Sequence, residues 1–155
     1  MDINLYDVTQ AYLQAILPEH LRFYIRFPKG YVHPKGYKYA LMKNCLYGHR
    51  VSGNIWMKTI RTWITTEFPQ FQQSTIDESF YVIWTDTLKV LLLVQVDDLL
   101  IAHNSDEFKT KFASKLIKTL CGKFDAEDKG FPKQFYGIDI NSNTVSGRRF
   151  IHPSD

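Results

Sequence analysis

Two adjacent aspartates interrupt the most apolar stretch of the chain. Residues 90–96 read Val-Leu-Leu-Leu-Val-Gln-Val, Asp97 and Asp98 follow, and Leu99-Leu100-Ile101-Ala102 resumes the apolar pattern at once. Branched aliphatic residues on both sides suit strands buried on at least one face. The simplest geometry is a strand, a tight turn carrying both aspartates, and a returning strand. Aspartate is a favoured turn residue, so an ordinary solvated tip would explain the pair by itself. The other explanation is a divalent-metal site, because Mg²⁺ binds through one or two carboxylates plus substrate phosphates. A third carboxylate favours the metal: Asp7 lies in Ile3-Asn4-Leu5-Tyr6-Asp7-Val8, which reads as another short strand.

The rest of the composition narrows the class. With 155 residues, 45% hydrophobic and 23% charged, the chain has the balance of one globular domain with a real core. No apolar run reaches the roughly 18 residues of a membrane span, so no membrane partner is expected. The opening Met1-Asp2-Ile3-Asn4 has neither the basic nor the apolar region of a signal peptide. Cys45 and Cys121 share no Cys-x-x-Cys spacing, which argues against a zinc site or a disulfide framework. The default setting is intracellular.

The formal net charge is only +3, but its distribution is one-sided. Between His20 and Thr66 stand Arg22, Arg26, Lys29, Lys35, Lys38, Lys43, Arg50, Lys58 and Arg61, with no Asp or Glu among them. Phe23, Tyr24, Phe27, Tyr31, Tyr37, Tyr39 and Tyr47 are interleaved with these cations. Cations for phosphates and flat rings for bases are what a single-stranded template groove uses. The same rings would equally serve as core or strand-pairing residues. Arg22, Arg26, Lys29, Lys35, Lys38 and Lys43 are the candidate nucleic-acid contacts.

Periodicity and breakers place the elements. Residues 1–17 read as a strand and a short helical or irregular turn ended by Pro18, and residues 22–40 as a twisted β-hairpin with Pro28-Lys29-Gly30 and Pro34-Lys35-Gly36 in its loop. Trp56, Ile60, Trp63 and Ile64 recur at helical spacing, which predicts a helix over 52–67 with Ser52 as its N-cap. Strands are predicted over 79–85, 89–96 and 99–102. A second helix is predicted over 105–121, with Ser105 as cap, Phe108, Phe112, Leu116, Ile117 and Leu120 as its apolar stripe, and Gly122 as its stop. Residues 123–133 read as a charged, turn-rich connector. Residues 135–140 and 149–151 read as a closing hairpin across Asn141-Ser142-Asn143.

Four of these segments carry a resemblance. Tyr6-Asp7-Val8-Thr9-Gln10-Ala11-Tyr12-Leu13 resembles the first palm motif of reverse transcriptases from copia-type LTR retrotransposons. Asn44-Cys45-Leu46-Tyr47-Gly48-His49-Arg50-Val51-Ser52-Gly53 with Trp56 resembles their second, Ser-Leu-Tyr-Gly-Leu-Lys-Gln-Ser-Pro, motif. Val96-Asp97-Asp98-Leu99-Leu100-Ile101-Ala102 resembles the third, and Gln134-Phe135-Tyr136-Gly137-Ile138-Asp139-Ile140 a later Phe-Leu-Gly-Ile-Glu segment. The motifs occur in order and span nearly the whole chain.

The resemblance implies an α+β fold: an antiparallel palm sheet backed by the two helices, with a partial fingers hairpin. It implies that residues 1–155 form one partial reverse transcriptase domain, without thumb or ribonuclease H. The implied activity is RNA-directed DNA polymerase with two Mg²⁺ ions about 4 Å apart, Mn²⁺ being the alternative ion. Asp7, Asp97 and Asp98 are the implied catalytic acids and, with the Val8 carbonyl, the implied metal ligands. Tyr12, Tyr47, Gly48 and Arg50 join Val8 as the implied nucleotide-binding residues, Tyr12 excluding a ribose 2′-hydroxyl. The implied partners are an RNA or DNA template-primer, deoxynucleoside triphosphates and the rest of a retrotransposon polyprotein. An intact element would place it in a cytoplasmic virus-like particle. The family's general-acid lysine matches no single position, Lys129 being one choice. His49, Val51 and Gly53 depart from the family's Leu, Gln and Pro, and Gln95 stands where an aromatic is common. Two other readings use the same residues: an inactive remnant that at most binds nucleic acid, and a metal-dependent nuclease.

Overall fold

The structure, a computed structural model, describes residues 2–104, 112, 114–142 and 149–153. In chain order its elements are β1 (Asp2–Val8), α1 (Ala11–Gln14), β2 (Phe23–Arg26), β3 (Tyr39–Met42), α2 (Ser52–Glu67), β4 (Gln72–Gln73), β5 (Phe80–Trp84), β6 (Lys89–Gln95), β7 (Asp98–His103), α3 (Ser114–Phe124), β8 (Ala126–Gly130), β9 (Gln134–Phe135), β10 (Ile138–Ser142) and β11 (Arg149–Pro153). Contacts divide the chain into two compact units, Met1–Thr9 with Gln72–Asp155 and Gln10–Phe71. The fold is mixed α and β, mostly antiparallel sheet with few helices.

The first unit is built on a six-stranded sheet in the order β4-β5-β6-β7-β1-β8, antiparallel at every step. Its register follows from alternation. Leu92 faces Ile101 and Val94 faces Leu99, and all four are buried. Tyr81 opposite Leu92, and Tyr6 opposite Leu99, extend that buried face across the sheet. A register slip by one residue would turn this whole set outward, so burial specifies the pairing strongly. The opposite face carries Leu91, Leu93, Leu100 and Ala102, all only partly buried, and ends in Asp98. In the same unit a small sheet is ordered β11-β10-β9.

The second unit pairs β2 with β3 as the predicted hairpin and forms α2 over the predicted residues. Trp56, Ile60, Trp63 and Ile64 are its buried stripe. Ser52 is not the N-cap, however. Val51 holds that position, and the Ser52 hydroxyl donates to the Leu46 carbonyl at 2.7 Å and accepts from the Leu46 N–H at 3.1 Å. The serine ties down the preceding loop rather than the helix end.

Three other expectations change. Gly122 does not stop α3, which runs on to Phe124, because burying that ring outweighs roughly 1 kcal/mol of glycine penalty. The predicted cap Ser105 and stripe residue Phe108 lie outside the described residues. Ala126–Gly130 is a strand on the sheet edge, not a turn-rich connector. Acidic and lysine residues are poor strand formers, but on an exposed edge they are tolerated and block further pairing. Residues 135–140 are split between β9 and β10 by a turn at Tyr136-Gly137, with φ of 55° and 74°. β10 does pair with β11, and the ladder continues through Ser142 opposite Arg149.

Candidate functional site

The aspartate turn is one residue earlier than expected. Gln95 pairs with Asp98 across the β6–β7 hairpin, so Val96 and Asp97 form the two-residue loop and Asp98 opens β7. The reason is alternation: Leu99 must face the core, which sends Asp98 to the other face. Val96 takes a φ of 51°, a left-handed conformation that costs a β-branched residue on the order of 1–3 kcal/mol. The Val8 N–H donates to the Asp97 carbonyl at 2.6 Å, pinning the end of β1 to the loop.

That arrangement sets carboxylates side by side. Asp7 is the cross-strand partner of Asp98 on β7 and of Glu127 on β8. Directly opposed side chains have Cβ atoms about 4.5–5.5 Å apart, where like charges are unfavourable. Burial, then the charges of Asp7 and Asp97, push the Asp98 carboxyl above its usual range. Lys129 offsets part of this charge: its Nζ lies 3.6 Å from Asp7 Oδ2 and donates to Glu127 Oε2. Its ammonium is raised mainly by that Glu127 bond. The Tyr6 hydroxyl is raised by burial and by Asp128, its opposite on β8. Gln95, at the other end of the loop, donates its amide to Tyr136 Oη at 2.6 Å.

Among the described residues no three His, Cys, Asp or Glu side chains are gathered into a ready metal cage. What joins the three aspartates is register and mutual charge. Oxygen-only donors carrying surplus negative charge suit a hard divalent cation, so Asp7, Asp97 and Asp98 fit Mg²⁺ in kind. Glu127 was missed by sequence reasoning, since its place beside Asp7 exists only once β8 is recognised as a strand.

The second unit holds the other predicted set. The Tyr12 and Tyr47 rings lie 4.6 Å apart at 40°. Gly48 follows at φ 81°, exposed, in a conformation that glycine takes without strain. Arg50 is exposed in the same loop. A Cβ added to Gly53 would meet Tyr12 Oη at 3.6 Å, an ordinary contact. Gly53→Ala is therefore expected to stabilise α2 by about 0.5–1 kcal/mol, read as a rise in urea midpoint. A fall would mean that Tyr12 needs that space.

The predicted basic contacts are not equivalent. Arg22 Nη1 is bound to Glu19 Oε1 at 3.1 Å, so its charge is partly neutralised. Arg26 opposes Tyr39, and Tyr24 opposes Leu41, making one exposed face of the β2–β3 hairpin. Lys29, Lys35 and Lys38 are exposed in its loop, and Lys43 just beyond β3.

The family described as reverse transcriptase (RNA-dependent DNA polymerase) matches residues 1–151. The chain is 27% identical over 134 residues to the Retrovirus-related Pol polyprotein from transposon RE2 of Arabidopsis thaliana, covering 86% of this chain and 9% of that protein. It is 27% identical over 150 residues to the corresponding polyprotein from transposon RE1, covering 94% of this chain and 10% of that protein. The chain thus spans about a tenth of the length of these relatives. It belongs to the reverse transcriptase (RNA-dependent DNA polymerase) family.

Proposed function

We propose that this chain is the palm, with part of the fingers, of an RNA-directed DNA polymerase. The observation that carries the reading is the Asp7–Asp98 cross-strand pair beside the Asp97 loop, three carboxylates coupled by charge on strands far apart in sequence. Phosphoryl transfer needs positioning and charge neutralisation more than covalent chemistry, so carboxylates that gather cations suffice for it. Bound Mg²⁺ would supply Lewis-acid stabilisation at the primer hydroxyl and the triphosphate. Asp7 and Asp97 would be its principal ligands, with Asp98 and the Val8 carbonyl completing the set. Tyr12 would exclude a ribose 2′-hydroxyl, with Tyr47, Gly48 and Arg50 on the nucleotide. The basic hairpin would hold the template-primer, and the remainder of a retrotransposon polyprotein would be the natural partner.

The test is primer extension on an RNA template with deoxynucleotides, with Mg²⁺ and after chelation. Extension that depends on Mg²⁺ is the expected result. No extension with salt-sensitive template binding intact would instead establish the inactive remnant. That second reading is favoured by one observation, the Lys129 ammonium already held against Asp7. Degradation of unextended primer would identify a nuclease.

A further inference from the structure

The loop between β2 and β3 is more organised than its length suggests. Its two Pro-Lys-Gly units fold into two different turns. The Tyr31 N–H donates to the Pro28 carbonyl at 3.2 Å with Gly30 at φ 88°, the arrangement of a type II turn with glycine in third place. The Gly36 N–H donates to the His33 carbonyl at 2.8 Å, placing Pro34 second and glycine last, as a type I turn prefers. Phe27 closes the loop by donating its N–H to the Lys38 carbonyl at 3.0 Å.

These turns gather four rings. Phe27 lies 4.9 Å from Tyr31 and 5.6 Å from His33, which in turn lies 5.2 Å from Tyr37, between ring centroids. His33 is held in place because its Nδ1 accepts the Lys35 N–H at 3.1 Å, which leaves the proton of the neutral ring on Nε2. The rings and the backbone line an open surface cleft of about 310 Å³ whose lining also includes Arg26, Lys29 and Lys38. Tyr31 and Tyr37 remain 52% and 62% exposed, so their faces are open to a ligand rather than used up in a core.

We propose that this cleft receives one unpaired nucleobase of a single-stranded nucleic acid. The base stacks among the tyrosine, phenylalanine and imidazole rings, and Arg26, Lys29 and Lys38 hold the phosphates on either side of it. Stacking on aromatic faces is sequence-tolerant, so the site takes any base. Residues 20–66 contain no carboxylate side chain to repel a phosphate. The inference rests on the reading that the chain handles nucleic acid, but not on polymerase activity.

The experiment titrates the whole chain into a short single-stranded deoxyoligonucleotide carrying 2-aminopurine, and into an abasic oligomer of the same length and charge. The abasic oligomer is expected to bind about tenfold more weakly, the scale of one lost stacked base. Tyr31→Leu with Tyr37→Leu keeps apolar bulk but removes both aromatic faces. It is expected to abolish 2-aminopurine quenching and bring both oligomers to the weaker affinity, with the far-ultraviolet circular dichroism of the parent. Lys29→Gln with Lys38→Gln should weaken both oligomers equally. Equal affinity of the parent for both oligomers, or quenching that survives the leucine pair, overturns the base site and leaves nucleic-acid binding standing. Binding of neither oligomer overturns both.

Discussion

Asparagine at positions 97 and 98 is expected to lower Mg²⁺-dependent primer extension by at least about 10³-fold, roughly 4 kcal/mol of transition-state stabilisation. The same exchange at position 98 alone is expected to make the free protein more stable. Asp98 opposes Asp7 directly and is raised by burial and by two neighbouring charges, so its ionised form is disfavoured in the fold. A carboxyl whose folded pKa is raised contributes stability that is fully present below the unfolded value, about 3.9, and is lost as pH rises through the folded value. At pH 7 the parent therefore carries a penalty that Asp98→Asn removes. The gain, reduced by solvent screening, is read as a higher Tm for the variant at pH 7, and it should vanish by about pH 3. Thermal melts at both pH values read this directly. Mg²⁺ should raise the Tm of the parent and not of the double variant, as expected for a ligand that binds only the folded state. A variant that melts lower than the parent at pH 7 would mean that the Asp98 carboxylate is a structural acceptor rather than a strained site group.

Leu92→Ala is expected to cost about 2–5 kcal/mol. Leu92 is fully buried in β6, between Tyr81 on β5 and Ile101 on β7, and truncation leaves a cavity that paired strands cannot close. Its neighbour Leu91 is only partly buried on the other face, and Leu91→Ala should cost clearly less. The urea midpoints of the two variants therefore test the register itself. A larger loss at position 91 would place the strand one residue out, and with it would move Asp98 off the face it shares with Asp7.

The strands β5, β6 and β7 were legible from short, continuous apolar runs rich in branched residues, and the helix α2 from the helical spacing of Trp56, Ile60 and Ile64; which residues of each strand face the core, alternating along Phe80–Trp84 and Lys89–Gln95, appeared only in the fold. The hairpin of β2 and β3 was legible from its two Pro-Lys-Gly breakers. Ser52 and Gly122 misled for one reason. A hydroxyl that finds a better partner in the Leu46 backbone, and a ring that finds the core at Phe124, override local propensity. β8 was illegible because its Glu127, Asp128 and Lys129 show no apolar alternation, being exposed at a sheet edge.

The carboxylates themselves, their order along the chain and the acid-free basic segment were determined by sequence alone, since residue type sets charge and ligand chemistry without any fold. Tertiary structure decided which of those charges meet. Asp7 and Asp98 stand ninety-one positions apart in the chain and become partners only because β1 inserts between β7 and β8. That insertion also sets Glu127 and Lys129 beside Asp7. Sheet pairing is non-local, and its register is chosen by what the whole buried face gains, so no local pattern around Asp7 carried the information.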